Sequence, residues 1–181
     1  MKRAEFEHAI RAAAEVLDIE DVLVIGSQAL HGSVAGDLPE EALRSVEVDV
    51  AALEDPDGSQ ADLVDGAIGE ASMFHGTFGY YAQGVEAVTA VLPEGWRDRL
   101  VRFESPGTRG VVAWCLESHD LWISKMVAGR PKDLEFCQAL MRRGMVEPEE
   151  LARRLERLDA DERVKARIAG KIAAWNTTAP E

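Results

Sequence analysis

Two apolar segments in the N-terminal half of the chain decide the fold. Residues 21–27 read DVLVIGS, and residues 46–50 read VEVDV. The first is a short apolar run that ends at a glycine, which is typical of a fully buried strand. The second alternates valine with a carboxylate, which is the period-2 pattern of a half-buried strand. We therefore expect two consecutive strands, joined by short helices near Ser27 and Pro39.

Helices and further strands surround this pair. Phe6, Ile10, Ala13 and Leu17 recur at helical spacing and predict a first helix over residues 3–17. Apolar runs between turn residues predict more strands, at 77–82, 87–91, 100–103 and 110–116. Periodicity and proline positions predict more helices, at 59–68, 118–128, 131–143, 148–158 and 161–174. The fold class is α/β (α+β), with a mixed sheet in a core of residues 1–117 and a helical extension, 118–181, packed on it.

Composition and charge exclude several classes of protein. The 181 residues carry a net charge of −13 and contain two cysteines, Cys115 and Cys137, both within apolar runs. We expect a cytoplasmic protein without a membrane span, since no apolar run approaches the roughly 20 residues that a span needs. Nonspecific duplex DNA binding is not expected, because an acidic chain repels the phosphate backbone. Residues 37–70 hold eleven acidic side chains against Arg44, which suits either a cation site or a solvated surface.

Glu47 and Asp49 form the first candidate site. Alternate residues of a strand point to the same face, so their carboxylates stand about 7 Å apart. Carboxylate oxygens at that spacing can hold one or two Mg²⁺ ions together with substrate phosphates. The alternative is an ordinary exposed strand face.

Gly26 and Ser27 form the second candidate site, at the turn that follows the first strand. A glycine lets the backbone approach a ligand, and the amides at the start of a helix favour a phosphate. The alternative is a tight turn in which Ser27 is only the N-cap of the next helix.

An apolar strand, Gly-Ser, a helix and then carboxylate-x-carboxylate together resemble the signature of the nucleotidyltransferase superfamily. The chain is similar, over about residues 15–145, to the bacterial AbiEii-type proteins of abortive-infection and toxin–antitoxin systems. The resemblance implies that Gly26 and Ser27 seat a nucleoside triphosphate and that Glu47 and Asp49 bind Mg²⁺. Four segments carry it, at residues 43–49 (LRSVEVD), 65–70 (DGAIGE), 78–84 (FGYYAQG) and 124–133 (SKMVAGRPKD).

The same resemblance assigns roles to Lys125 and Asp133, and arginine chemistry adds Arg130 to them. Lys125 and Arg130 would offset the charge of the phosphates, because lysine and arginine both bind phosphate oxygens. Asp133 would orient Lys125 or accept the proton of the acceptor hydroxyl. The alternative is an acidic helix start beside solvated cations.

Two departures from the superfamily pattern lead to a rival hypothesis. The first carboxylate is Glu47 where the superfamily usually has aspartate, and no motif marks a third carboxylate, for which Glu104 and Glu117 are candidates. The first hypothesis is a Mg²⁺-dependent nucleotidyltransferase that acts on an RNA, protein or small-molecule acceptor. The rival is a catalytically inactive binding or regulatory module, such as one partner of a toxin–antitoxin pair. The sequence does not identify the nucleotide, the acceptor or the oligomeric state. We assign His75, Tyr80 and Tyr81 to the core or rim of the fold.

Overall fold

The structure is a computed structural model that describes residues 1–55 and 57–176. The strands are β1 (Asp21–Val24), β2 (Glu47–Ala51), β3 (Tyr81–Gly84), β4 (Val101–Phe103) and β5 (Val112–Cys115). The helices are α1 (Arg3–Leu17), α2 (Leu30–Ser33), α3 (Glu40–Leu43), α4 (Ser59–Ile68), α5 (Met73–Phe78), α6 (Ser118–Ala128), α7 (Pro131–Arg142), α8 (Pro148–Glu156) and α9 (Glu162–Asn176). Short 3₁₀ helices span Ser27–Ala29, Ala87–Thr89, Trp96–Arg99 and Pro106–Thr108.

The five strands form one mixed sheet in the order β3-β2-β1-β5-β4. β1 runs antiparallel to β2, and β4 runs antiparallel to β5, whereas β2 with β3 and β1 with β5 are parallel. The two strands expected from DVLVIGS and VEVDV are therefore direct neighbours. The α/β class with a mixed sheet, flanking helices and a helical C-terminal part is confirmed.

The first of two compact units comprises Met1–Thr89 and Leu100–Leu116 and contains the whole sheet. α1 packs on β1, β2 and β3, and its Phe6 and Ile10 side chains are fully buried. α4 lies so close to β3 that a Cβ at Gly84 would stand 2.0 Å from the Ala61 carbonyl oxygen. The Gly84 amide also donates to Asp65 Oδ1 at 2.7 Å. This close approach fixes β3 beside β2, where the candidate carboxylates lie.

The second unit comprises Ala90–Arg99 and the chain from Glu117 on, with α6 to α9. A buried charge cluster lies inside it. Asp120 has no exposed side-chain surface and accepts from Arg99 Nε at 2.8 Å, while Arg154 Nη1 lies 3.0 Å from its Oδ1. Arg154 also pairs with Glu117 and Glu150. The spacing of Arg153, Arg154 and Arg157 is typical of a solvated helix face, but the Arg154 side chain is only 11% exposed and neutralises these carboxylates.

The predicted strand at residues 77–82 is partly wrong, because α5 ends at Phe78. The Ser72 hydroxyl accepts from the His75 amide at 3.1 Å and caps the first turn of α5. Gly79 ends the helix in the left-handed region, at a φ of 78°. The strand then begins at Tyr81. A serine cap and a glycine stop thus outweigh the aromatic, strand-like composition of this segment.

The predicted strand at residues 87–91 is also wrong. Pairing with β2 ends at Val85, whose amide donates to the Val50 carbonyl at 2.9 Å. The chain then closes a 3₁₀ turn, in which the Thr89 amide and hydroxyl both donate to the Glu86 carbonyl. The apolar residues here therefore form a turn and do not continue the strand.

Within the described residues, no helix is both long and apolar enough to cross a membrane. Both cysteines are free and buried, as expected of small hydrophobic side chains. Burial raises the pKa of the Cys115 thiol to about 12, so it stays protonated at neutral pH. The packing of residues 118–181 on the core stays a prediction.

Candidate active site

Glu47 and Asp49 lie on the same face of β2, and both are half-buried. Their register neighbours on β3 are Tyr81 and Gln83, which pair with Glu47 and Asp49 respectively. Paired residues of adjacent strands share a face, so two carboxylates, a phenol and an amide form one polar patch on the sheet. The intervening valine, Val48, is fully buried on the opposite face.

Asp49 lies directly against the backbone at Gly26. A Cβ on Gly26 would stand 1.6 Å from Asp49 Oδ2, so only glycine leaves room for the carboxylate. The Ile25 amide donates to the Asp49 carbonyl at 3.2 Å, which continues the β1–β2 pairing to the turn. The two candidate sites predicted from the sequence are therefore adjacent.

Ser27 does not act as the expected N-cap. Gly26 occupies the cap position of the 3₁₀ helix, with no side-chain cap hydrogen bond, and Ser27 is its first residue. The helical segment is only three residues long before α2 takes over, and α2 has only four. A helix dipole of that length contributes little to phosphate binding, so any contribution must come from the local amides and the Ser27 hydroxyl.

Gln28 is a site feature that sequence reasoning missed. Its side chain is 1 % exposed, and its Nε2 donates to the Ala42 carbonyl at 2.9 Å and to Ser27 Oγ at 3.3 Å. Its Oε1 is buried without a hydrogen-bond partner among the described residues. A buried acceptor of this kind normally finds a donor, so a water or a ligand group would satisfy it.

Tyr81 is a second residue that sequence reasoning left in the core or rim. Its hydroxyl donates to Glu47 Oε2 at 2.8 Å, and the His75 ring packs on it with centroids 4.7 Å apart. Burial, the hydrogen bond to Glu47 and the charges of Glu47, Glu70 and Asp49 all raise the pKa of Tyr81. The phenol therefore stays protonated and holds one oxygen of Glu47. The i, i+34 separation explains why no local pattern revealed this contact.

Both candidates for a third carboxylate have partners of their own outside β2 and β3. Glu104 follows β4, which lies three strands from β2, and its side chain pairs with Arg102 at 2.5 Å. Glu117 belongs to the second unit, where it accepts from His119 Nδ1 at 2.7 Å and pairs with Arg154. On β3, beside the pair, the chain carries Tyr81 and Gln83 instead.

Lys125, Arg130 and Asp133 are gathered at the α6–α7 junction of the second unit. Lys125 Nζ lies 3.8 Å from Asp133 Oδ1, and Arg130 Nε lies 3.3 Å from Asp133 Oδ2. Asp133 is 2 % exposed and also accepts from the Arg130 amide at 3.3 Å, which caps α7. The three residues thus have a local structural function, and their assignment to the nucleotide stays a prediction.

Almost the whole chain matches a known protein family. Residues 4–177 match a family described as a nucleotidyltransferase of unknown function (DUF6036). The chain belongs to this family. No curated protein and no solved structure shows significant similarity to it. The nucleotidyltransferase-like character expected from Gly26-Ser27 and Glu47-Val48-Asp49 is thereby confirmed, whereas the narrower likeness to AbiEii-type proteins stays a prediction.

The donor chemistry of this DUF6036 chain fits Mg²⁺ in part. Within residues 1–55 and 57–176, no group of three or more His, Cys, Asp or Glu side chains is arranged to hold a metal ion. Mg²⁺, however, prefers hard oxygen donors and is usually held by one or two carboxylates together with substrate phosphates. Glu47 and Asp49 supply that number of carboxylates, and the space that Gly26 leaves keeps the Asp49 carboxylate beside the turn.

Proposed function

We propose that this protein transfers a nucleotidyl group from a nucleoside triphosphate to an acceptor in a Mg²⁺-dependent reaction. One observation supports this above all, namely that the Asp49 carboxylate lies against Gly26 at the strand-to-helix turn. Glu47 and Asp49 would hold Mg²⁺, which would offset the triphosphate charge when bound. Gly26 and Ser27 would seat the phosphates.

The proposed reaction balances without any further co-reactant. An acceptor hydroxyl oxygen forms a bond to the α-phosphorus, and the bond from that phosphorus to the α–β bridging oxygen breaks. Pyrophosphate leaves with the bonding electron pair, and the hydroxyl proton passes to solvent. The protein contributes mainly position and charge, as in phosphoryl transfer generally.

The acceptor we propose is an RNA, a protein or a small molecule with a free hydroxyl. The resemblance to AbiEii-type proteins also suggests a cognate partner from a toxin–antitoxin or abortive-infection system. A conserved neighbouring gene that encodes a second protein of such a system would support that context, and its consistent absence would contradict it.

The first test is a thermal-shift titration with ATP, GTP, CTP and UTP, each with and without Mg²⁺. A ligand that binds only the native state adds about 2.7 kcal/mol at 100 times its Kd, which is easily measured. We expect one or more nucleotides to raise Tm only when Mg²⁺ is present. Asp49→Asn should abolish that shift.

Asp62→Asn is the matched control, because it makes the same change at an exposed position of α4. It should keep the wild-type shift. Release of pyrophosphate from the nucleotide that binds, with an RNA or protein extract as acceptor, then tests transfer itself. Absence of a nucleotide shift in the wild type would overturn the proposal.

The inactive binding module remains the second candidate, and two observations favour it. Tyr81 already occupies one oxygen of Glu47, and no group of three or more His, Cys, Asp or Glu side chains among the described residues is arranged to hold a metal ion. This hypothesis predicts no pyrophosphate release, whether or not a nucleotide binds, even with the native partner present. Pyrophosphate release that is lost in Asp49→Asn would exclude it.

A further inference from the structure

A separate cleft of about 590 Å³ lies in the first unit, beside α1 and the 3₁₀ turn Pro106–Thr108. None of the residues assigned above to the nucleotide lines it. Its size falls within the range of small-molecule sites. Its lining carries both cationic groups and carboxylates, the latter from Glu15, Asp18 and Glu20.

Arg109 is the most informative residue of this cleft. It adopts the left-handed conformation, at a φ of 52°, directly after the 3₁₀ turn. That position favours glycine or asparagine, and a long side chain there is strained. Arg109 makes no hydrogen bond or ion pair within residues 1–55 and 57–176, so no intramolecular contact explains the choice of arginine.

Arg11 also brings a guanidinium to the cleft, and it forms no ion pair among the described residues. Its Nη1 donates to the Gly107 carbonyl and, at 3.5 Å, to the Glu7 carbonyl. Neither contact is with a carboxylate. Although Glu7 and Glu15 each stand one turn away on α1, Glu7 pairs with Arg3 at 3.6 Å, and no ion pair joins Arg11 to either acid among the described residues. Backbone carbonyls therefore anchor the guanidinium through Nη1, and its other N–H groups can donate to an anion.

His8 lines the cleft together with the two arginines but adds no positive charge. Its Nδ1 lies 2.6 Å from the Tyr80 hydroxyl. Burial, followed by the charges of Arg11 and Arg109, lowers the pKa of His8, so the ring is neutral at pH 7. Burial also raises the pKa of Tyr80, which keeps its hydroxyl protonated. When Tyr80 donates to Nδ1, the neutral His8 ring carries its proton on Nε2 and can act as a hydrogen-bond donor there.

We propose that this cleft binds a sugar phosphate, either free or as part of a nucleoside monophosphate. Arg11, Arg109 and His8 bind the phosphate, because guanidinium groups and an imidazole N–H are strong donors to phosphate oxygens. Glu15, Asp18 and Glu20 accept from the sugar hydroxyls, which a bare phosphate lacks. The mixture of charges in the lining fits a ligand with an anionic group and several hydroxyl donors. The site is independent of nucleotidyl transfer.

Isothermal titration with ribose 5-phosphate, AMP, inorganic phosphate and ribose tests the proposal. The titration is done in EDTA on Asp49→Asn protein, so that the proposed nucleotidyl-transfer site does not contribute. We expect ribose 5-phosphate, AMP or both to bind more tightly than inorganic phosphate, and ribose alone not to bind. The tighter of the two identifies whether the free sugar phosphate or the nucleotide is the ligand. No binding of either, or binding no tighter than that of inorganic phosphate, would overturn the proposal.

Arg109→Gly is the decisive variant because it removes the guanidinium and relieves the backbone strain at once. We expect at least a tenfold loss of affinity, together with a Tm equal to or above that of the parent protein. Ala71→Gly is the matched control, since Ala71 is also left-handed, at a φ of 62°, and does not line the cleft. It should leave the affinity unchanged. Unchanged affinity in Arg109→Gly would show that the arginine does not bind the ligand.

Discussion

The carboxylate of Asp49 occupies the space that a side chain on Gly26 would need, with Oδ2 1.6 Å from the position of the missing Cβ. Two sequence motifs that are far apart along the chain are thus one structural feature. We expect Gly26→Ala to push the Asp49 carboxylate away from the turn. Over-packing of this kind costs about 1–3 kcal/mol in the free energy of unfolding. Chemical denaturation measures that loss, and the Mg²⁺-dependent nucleotide shift should disappear with it.

Gly66→Ala is the matched control for this substitution. Gly66 lies inside α4, and a Cβ there has no neighbour within 4 Å. Alanine is favoured over glycine in a helix interior by about 0.5–1 kcal/mol, so this variant should be more stable than the wild type and keep nucleotide binding. If Gly26→Ala retained full nucleotide binding, the contact between the turn and Asp49 would have no functional meaning.

Tyr81 holds Glu47 through a hydrogen bond of 2.8 Å. Tyr81→Phe should lower the free energy of unfolding by about 1–2 kcal/mol, because a hydrogen bond to a charged acceptor is lost. We also expect weaker Mg²⁺-dependent nucleotide binding, since Glu47 is no longer oriented. Both effects are measured on the same protein, by denaturation and by thermal shift.

Tyr80→Phe makes the same chemical change on the neighbouring residue. It removes the hydrogen bond to His8 at 2.6 Å and should cost comparable stability. Its Mg²⁺-dependent nucleotide binding should equal that of the wild type, because the described contacts of Tyr80 are with His8 and neighbouring aromatic rings, not with Glu47 or Asp49. Equal losses of nucleotide binding in the two variants would argue against a positioning role for Tyr81.

The lowered pKa of Glu117 makes the stability of the second unit depend on pH. Burial alone would raise the pKa of Glu117, but the hydrogen bond and charge of His119, together with Arg154, outweigh it and lower the pKa to about 2. A lowered carboxyl pKa stabilises the fold above the unfolded value of 4.5 and loses that contribution as the pH falls towards 2. Glu117→Gln should therefore cost about 2–3 kcal/mol at pH 7, and the gap to the wild type should narrow between pH 4.5 and pH 2.

Denaturant unfolding at a series of pH values measures this gap. Glu104→Gln is the control, because the partner of Glu104 among the described residues is Arg102, in an exposed pair. Surface pairs contribute about 0–1 kcal/mol, so this variant should follow the wild type at every pH. A constant difference between Glu117→Gln and the wild type from pH 7 to pH 2 would show that the Glu117 pKa is not lowered.

Hydrophobic periodicity and proline positions predicted the strands and helices that depend mainly on neighbouring residues in the sequence. The apolar run before Gly26 and the alternation around Glu47 and Asp49 correctly indicated β1 and β2, and Pro131 and Pro148 correctly marked helix starts. Residues 77–80 were assigned wrongly because aromatic residues favour strands in general, whereas the cap at Ser72 and the stop at Gly79 act on this helix in particular.

Contacts that depend on register or on tertiary packing could not be predicted. Tyr81 meets Glu47 only because β3 pairs with β2 in one register, and a shift of one residue would turn the phenol to the other face. Arg154 belongs to a helix whose sequence suggests a solvated face, and only the packing of α8 against α6 brings it to Asp120. The unpartnered Oε1 of Gln28 also depends on tertiary packing, which places the Ala42 carbonyl against Nε2 of the same side chain.

Lys125 forms an ion pair with Asp133, so it has a structural function in addition to the nucleotide function that the sequence suggests. Two variants distinguish these functions. Asp133 is almost fully buried, and Lys125 lies 3.8 Å from its carboxylate. Without Lys125, the Asp133 carboxylate keeps only its ion pair with Arg130 and its contact at the cap of α7 among the described residues. Lys125→Met should lower the free energy of unfolding by about 1–3 kcal/mol, because a buried carboxylate loses part of its compensation.

Lys132→Met removes the same charge at an exposed position of α7 and should change stability by less than about 0.5 kcal/mol. Denaturation of the two variants without nucleotide tests the structural function, and equal stabilities would contradict it. Nucleotide affinity, measured at a temperature where both variants are fully folded, tests the assignment of Lys125 to the phosphates separately. A loss of affinity in Lys125→Met that Lys132→Met does not share would support that assignment, whereas equal affinities would leave Lys125 with the function of neutralising Asp133.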